Sequence, residues 1–230
     1  MIEVDPIREA KTLLREARIG ALATLDASGA PLTTLVSTAS DCDGAPLLLL
    51  SSLSQHSRNL DGDARASLLL TSPAMRGDPL NQPRLSVNGR VRVLDSERSR
   101  ARYIAAKPKA KLYAGFADFA LRRLEVETVH FNGGFGRAGA MSAADLMSRI
   151  DDAGSLFENE AELLAEVDAL PVAARAALAG VESGIWHAVA IDPEGLDLAS
   201  GAKSARAWLP QRAANLKSWR TELRVLLQNA

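Results

Sequence analysis

Arg84-Leu85-Ser86-Val87-Asn88-Gly89-Arg90-Val91-Arg92-Val93-Leu94 alternates polar and apolar side chains almost without a break. A period of two puts Leu85, Val87, Val91 and Val93 on one side and the polar residues on the other. This pattern predicts a strand with one face on a core and the other in solvent or against a ligand. Upstream, residues 19–25, 31–37 and 47–51 read as further strands, separated by Asp26-Ala27-Ser28-Gly29 and Asp41-Cys42-Asp43-Gly44. Together they predict an antiparallel meander with glycine-containing hairpins. Residues 66–72 form another strand, 73–82 a loop, and Val126-Glu127-Thr128-Val129-His130-Phe131 a last strand running into Gly133-Gly134-Phe135-Gly136.

Helical signals between these strands are brief. Asp5 is placed to cap a helix over 6–17 with Pro6 at its first position, and 54–60 suits a single turn. Residues 96–106 and 109–123 have helical composition, divided by Pro108. Short strands joined by hairpins, with small helical insertions, indicate a barrel rather than a βαβ sheet. After Met141 the composition shifts to Ala, Leu and Glu. Helices are expected over 158–169, 172–178 and 215–228, with a hairpin across Asp192-Pro193-Glu194-Gly195. The reading is α+β: a barrel domain over 1–145 and a smaller α+β domain over 146–230.

Among the 230 residues, 27 Lys+Arg balance 28 Asp+Glu, so no generic electrostatic pull toward nucleic acid or an anionic membrane exists. Apolar runs are far shorter than the roughly 20 residues that span a bilayer, and the acidic start Met1-Ile2-Glu3-Val4-Asp5 is unlike a signal peptide. A cytoplasmic protein is expected. One cysteine, Cys42, and three histidines, His56, His130 and His187, cannot supply a disulfide or a Cys/His metal cluster.

No nucleophile-elbow, Walker-type or HExxH pattern is present. The Gly133-Gly134-Phe135-Gly136 run has the wrong spacing for a dinucleotide loop and reads on its own as a bulged turn. More informative is Ser51-Ser52-Leu53-Ser54-Gln55-His56-Ser57-Arg58-Asn59, directly after an apolar strand. It concentrates hydroxyls, amides, an imidazole and a guanidinium where a helix start would aim N–H groups at an anion such as phosphate. A serine-rich helix cap with a solvated Arg58 is the equal alternative.

Leu48 to Leu60, then Ala66-Ser67-Leu68-Leu69, Phe116-Ala117-Asp118-Phe119 and Phe131-Asn132-Gly133-Gly134-Phe135-Gly136-Arg137-Ala138, resemble in order and spacing the flavin-binding split-barrel superfamily of pyridoxamine-phosphate oxidase. Within it the HugZ-like haem-utilisation branch is the nearest match, and Ala190-Ile191-Asp192-Pro193-Glu194-Gly195-Leu196-Asp197-Leu198 marks that branch's small C-terminal domain. The resemblance implies a six-stranded antiparallel Greek-key split barrel that forms a homodimer, with FMN in each of two grooves between subunits. It also implies phosphate contacts at Ser51, Gln55, His56 and Ser57, and an isoalloxazine edge lined by Thr33, Leu35 and Ser37, largely through backbone groups. Arg84 would approach the flavin, and Arg58 and Arg137 would be second anionic contacts.

Departures from the family narrow the activity. Pyridoxamine-phosphate oxidases carry basic phosphate-binding residues at the positions of Thr33 and His56-Ser57, and an Arg-rich C-terminal segment that this chain lacks, so vitamin B6 oxidation is not expected. Both histidines that the haem branch carries in its second-domain helix are replaced, the stretch reading Glu166-Val167-Asp168-Ala169-Leu170-Pro171. Haem iron could still use His187 or His130, but on strands beside apolar neighbours these read more simply as packed or half-exposed strand residues. Trp186, Trp208 and Trp219 are expected as core, Lys107-Pro108-Lys109-Ala110-Lys111 as a solvated rim, and Asp118 as a helix-to-barrel contact. Three functions follow: an FMN-dependent oxidoreductase of unknown small-molecule substrate, a haem-binding or haem-degrading protein, or a non-catalytic homodimeric binding module.

Overall fold

The computed structural model describes residues 5–72, 78–134 and 138–229. The chain divides into two compact units, 1–147 and 148–230.

The first unit runs α1 (Pro6–Glu16), β1 (Ile19–Leu25), β2 (Pro31–Ser37), β3 (Ala39–Ser40), β4 (Pro46–Ser51), α2 (Gln55–Gly62), β5 (Arg65–Thr71), β6 (Arg84–Val93), α3 (Glu97–Ala106), β7 (Phe119–Asn132), β8 (Ala138–Met141) and α4 (Ala143–Leu146). All strand pairs are antiparallel, in the order β2-β1-β5-β6-β7-β4-β3, with β8 on β7. β2 and β3 are one chain segment that changes partner from β1 to β4, so the curled sheet closes on itself at Thr38. The expected split barrel is therefore present, built from eight strand segments. Its two leading hairpins turn as their sequences require: Gly29 (φ +82) and Gly44 (φ +98) take the left-handed conformation that glycine tolerates. The Asp26 carboxylate accepts from the N–H groups of Ser28 and Ala30, at 2.8 and 2.9 Å.

Leu22, Val36, Leu48, Leu50, Leu68, Leu70, Leu85, Val87, Val91, Leu124 and Phe131 fill the barrel interior, and α1 closes onto it with Ala10, Leu13 and Leu14. A second cluster, Leu47, Leu49, Leu121, Tyr103, Ala110 and Ala114, lies on the outer side of β4 and β7 under α3. Fully burying a leucine contributes roughly 1.5–3 kcal/mol, so the alternation within Leu47-Leu48-Leu49-Leu50 feeds two cores from one strand.

One expectation fails here. Residues 109–123 do not form a helix: after a 3-10 turn over Pro108–Leu112 the chain enters β7 at Phe119. Leu121 and Leu124 are placed by ladder partners on both sides, Leu49 on β4 and Val91 on β6, and this tertiary pairing outweighs helical composition.

The second unit runs α5 (Gly154–Glu158), α6 (Glu160–Asp168), α7 (Val172–Leu178), β9 (His187–Asp192), β10 (Gly195–Ser200), β11 (Lys203–Trp208) and α8 (Leu216–Gln228). The hairpin across residues 192–195 is present, and β11 adds a third antiparallel strand, giving the order β11-β10-β9. Trp219 and Trp186 are buried, as a core role requires, and the Trp219 indole donates to Asp192 O at 3.1 Å. Inside this unit the Arg206 side chain is wholly buried between Asp192 and Asp197, and its guanidinium stacks 4.6 Å from the Trp208 ring centre.

Candidate functional site

The site begins at a strand edge that no strand pairs among the described residues. Thr38 N–H donates to Arg18 O and Asp26 N–H to Ala30 O, at 3.1 and 2.9 Å. In an antiparallel ladder bonded and non-bonded pairs alternate. With the register Ile19↔Ser37 through Leu25↔Pro31, the bonded pairs are then Gly20–Val36, Leu22–Thr34 and Thr24–Leu32. The N–H and C=O groups of Thr33, Leu35 and Ser37 therefore point away from β1, along the outer edge of a terminal strand. On β4 the bond from Ser52 N–H to Asp118 O sets the same alternation, which turns the backbone of Leu49 and Ser51 away from β7.

Tyr103 bridges these two edges where the barrel closes. Its hydroxyl donates to Ser37 O on β2 at 3.5 Å, and its ring packs with Leu47 and Leu49 of β4. Burial drives the phenol's pKa far above its ordinary value, so it stays a neutral donor and acceptor.

At the other end of this seam α2 plugs the barrel mouth through three polar hooks. Thr24 on β1 accepts from Asn59 Nδ2 (3.0 Å), Thr34 on β2 meets His56 Nδ1 (3.0 Å), and Arg122 on β7 donates to Asp61 (2.7 Å). Arg122 pairs with Leu48 across the ladder and so shares its interior-facing side; its Nε is buried without a partner. Burial, with the Arg122 charge as the lesser cause, holds the His56 imidazole below the usual histidine pKa, so it is neutral at pH 7.

The turn into α2 is tied to β7: Ser51 Oγ donates to Asp118 Oδ2 (2.6 Å) and accepts from Leu53 N–H (3.1 Å). Asp118 thus anchors a turn to the barrel rather than a helix. Ser54, the N-cap residue, does not cap with its side chain; its hydroxyl bonds Ser51 O and the buried Ser57 hydroxyl. The first N–H groups of α2, at Gln55, His56 and Ser57, have no acceptor among the described residues. Gln55 and Arg58 bond each other, Arg58 also reaches Leu53 O, and Gln55 also reaches Asn59.

Ser51, Gln55, His56, Ser57 and Arg58 thus gather at one helix start, beside Thr34. The side chains of Thr33, Leu35 and Ser37 lie on the opposite face of β2 from Thr34, exposed, with Leu35 72% accessible. Arg84 is on that same outer face, since the register links Leu35, Ala21, Leu69 and Ser86 across four strands. It stands three strand spacings from β2, roughly 14 Å, with its guanidinium on Leu80 O. Arg137 lies outside the described residues. Thr34, Tyr103 and Arg122 escaped sequence reading; the parity of Thr34 with buried Val36 was the available signal for the first.

The remaining histidines are apart from this seam. His130 is exposed on the outer face of β7, and His187 on β9 holds Nδ1 3.5 Å from Asp168, which also accepts from Ala188 N–H. No group of three or more His, Cys, Asp or Glu among the described residues could hold a metal ion, and none of the described helices is long and apolar enough to cross a membrane.

Comparison with known proteins gives the geometry a family. A chloroplastic non-canonical heme oxygenase of Arabidopsis thaliana is 32% identical over 143 residues, 59% of this chain, and the aligned part is 42% of that protein's length. A solved structure of a protein of unknown function from Agrobacterium tumefaciens superposes with a TM-score of 0.86 at 37% identity, covering 96% of this chain and 94% of the other. A heme binding protein from Mycobacterium smegmatis superposes with a TM-score of 0.60 at 25% identity, covering 100% and 98%. Residues 7–133, spanning the barrel from α1 through β7, match the family described as pyridoxamine 5'-phosphate oxidase, and the chain belongs to that family.

Proposed function

We propose that this chain is an FMN-binding oxidoreductase that works as a homodimer on a small-molecule substrate. The observation that carries the reading is the unpaired edge of β2. Alternating N–H and C=O groups at Thr33 and Leu35, with the N–H of Ser37, match the acceptor–donor–acceptor pyrimidine edge of an isoalloxazine ring without any side chain. The uncapped start of α2 offers backbone N–H groups to the phosphate, with His56 Nε2 and the Ser57 hydroxyl beside them. When bound, FMN supplies the electron transfer; the chain's own groups hold and orient it. The outer face of β2, β1 and β5, with Leu35, Ile19 and Leu69 exposed, supports the second copy as its cover.

The test is an absorbance titration of the purified protein with FMN. Bound-flavin bands that weaken in His56→Ala support the phosphate assignment, and a protein that takes up no FMN at any concentration sinks it. Light scattering tests the dimer, and a monomeric mass removes it.

A second reading, haem binding or degradation, has support from the names of two relatives and from His187. With Nδ1 turned to Asp168, Nε2 is left as the outward ring nitrogen, the arrangement an iron-ligating histidine takes. It predicts a Soret band on adding haem that is lost in His187→Ala. An unchanged spectrum in both His187→Ala and His130→Ala removes it, and binding of neither cofactor leaves a scaffold module.

A further inference from the structure

Arg18 and Lys107 lie far apart in the chain but meet where β1 begins and α3 ends. The Lys107 amine donates to Arg18 O at 2.6 Å, and the Arg18 guanidinium donates to Ala106 O at 3.0 Å. Both side chains are half-buried, and neither has a carboxylate partner among the described residues. Other part-buried cations of the barrel differ in this: Arg122 has Asp61, and Arg123 has both Asp41 and Asp43. Two half-buried cations side by side repel, and the carbonyls of Arg18 and of Ala106, the last residue of α3, answer them only with partial charges.

We propose that Arg18 and Lys107 form a binding site for the carboxylate group of a small apolar molecule. The donors suit that group. A guanidinium bonded once through Nη2 retains further N–H donors in its planar fork, and an ammonium bonded once retains two more. Ile19, the next residue after Arg18, is 55% exposed, so an apolar surface adjoins the cations, and a hydrated dianion such as phosphate gains nothing from it. Burial and, secondarily, the Arg18 charge bring the Lys107 amine down to about 7, the condition of an ammonium without its counter-ion. Arg18 is likewise lowered by burial.

Position gives the site a role beyond the cofactor reading. Lys107 follows Tyr103 by one helical turn, and Tyr103 reaches Ser37 O at the closed end of the β2 edge. A substrate held by its carboxylate at Arg18 and Lys107 would start at that end of the seam. The assignment thereby deepens the proposed oxidoreductase by naming its substrate class, while the binding site itself requires no cofactor.

The test uses full-length protein carrying isotope-labelled lysine, with the side-chain signals followed by NMR. Benzoate is the probe, inorganic phosphate the comparison, and Lys107→Met assigns the signal. Benzoate should shift the Lys107 signal saturably and raise its titration midpoint by about one unit or more. Arg18→Gln should weaken that response about tenfold, the loss of one charge-assisted hydrogen bond. If Arg18→Gln does not fold, the wild-type comparison with exposed Lys109 and Lys111 still decides. A Lys107 signal that moves no more than theirs, or that answers phosphate as strongly as benzoate, overturns the proposal. An FMN titration alongside separates the two readings: a benzoate response without flavin bands removes the flavin reading alone, and flavin bands without a benzoate response remove this site alone.

Discussion

Tyr103→Phe removes one oxygen from the point where the barrel closes and leaves the packing of the ring intact. The hydroxyl donates to Ser37 O at 3.5 Å, at the long end of a hydrogen bond, and the ring itself is buried. The cost is therefore that of one net hydrogen bond, about 0.5–1.5 kcal/mol. Taking about 1 kcal/mol, and about 2–4 °C per kcal/mol for a domain of this size, the barrel should melt about 2–4 °C lower. The chain contains its own control, because all three tryptophans, Trp186, Trp208 and Trp219, belong to the second unit. Their fluorescence reports that unit, whose own interactions the substitution leaves in place. A Tyr103→Phe barrel that melts at the wild-type temperature refutes the bridge.

Three further outcomes follow from the same physics. Arg206→Met strands Asp192 and Asp197 in the second unit's interior, and tryptophan fluorescence in urea should show a loss of about 3–5 kcal/mol, because a buried pair broken from one side leaves an uncompensated charge. Gly89→Ala forces a Cβ to 1.8 Å from Glu125 O at the register shift between β6 and β7, and should cost about 3 kcal/mol in barrel stability, read from the urea midpoint. For Lys107 the amine titrates near 7 when folded and at 10.5 as its ordinary value, so the unfolded chain binds the extra proton between those limits. Stability should thus rise with pH across that window, and Lys107→Met should flatten the rise.

How far the fold could be read depended on whether local pattern and tertiary pairing agreed. β6 alternates, is bounded by turns, and lies between two partners that reward the alternation, so sequence and structure coincide. β11 was missed because Lys203-Ser204-Ala205-Arg206-Ala207-Trp208 carries alanine and a buried arginine where strands favour branched residues. Its arginine is tolerated because Asp197 on the adjacent β10 and Asp192 on β9 both reach it. The start of β7 was missed for the opposite reason: Leu121, Arg122, Arg123 and Leu124 read locally as a helix, and only Leu49 and Val91 across the ladder show otherwise.

The site divides along the same line. The serine-rich turn and His56 are contiguous in the chain, and so could be found as a motif. The edge of β2 has no motif, because its useful groups are backbone, and their direction depends on which pairs of a ladder are bonded. The hooks under α2 are also long-range: Thr24, Thr34 and Arg122 come from three strands, and each occupies an interior-facing position where leucine or valine would serve the core better. Burying polar groups there stabilises the fold only if each meets a partner, and α2 supplies Asn59, His56 and Asp61 for that purpose. The barrel mouth is thereby specified for one placement of this helix. A helix so fixed keeps the N–H groups of Gln55, His56 and Ser57, which have no acceptor among the described residues, at the barrel mouth without spending His56 Nε2, and on the proposed reading these are the groups that would meet the phosphate.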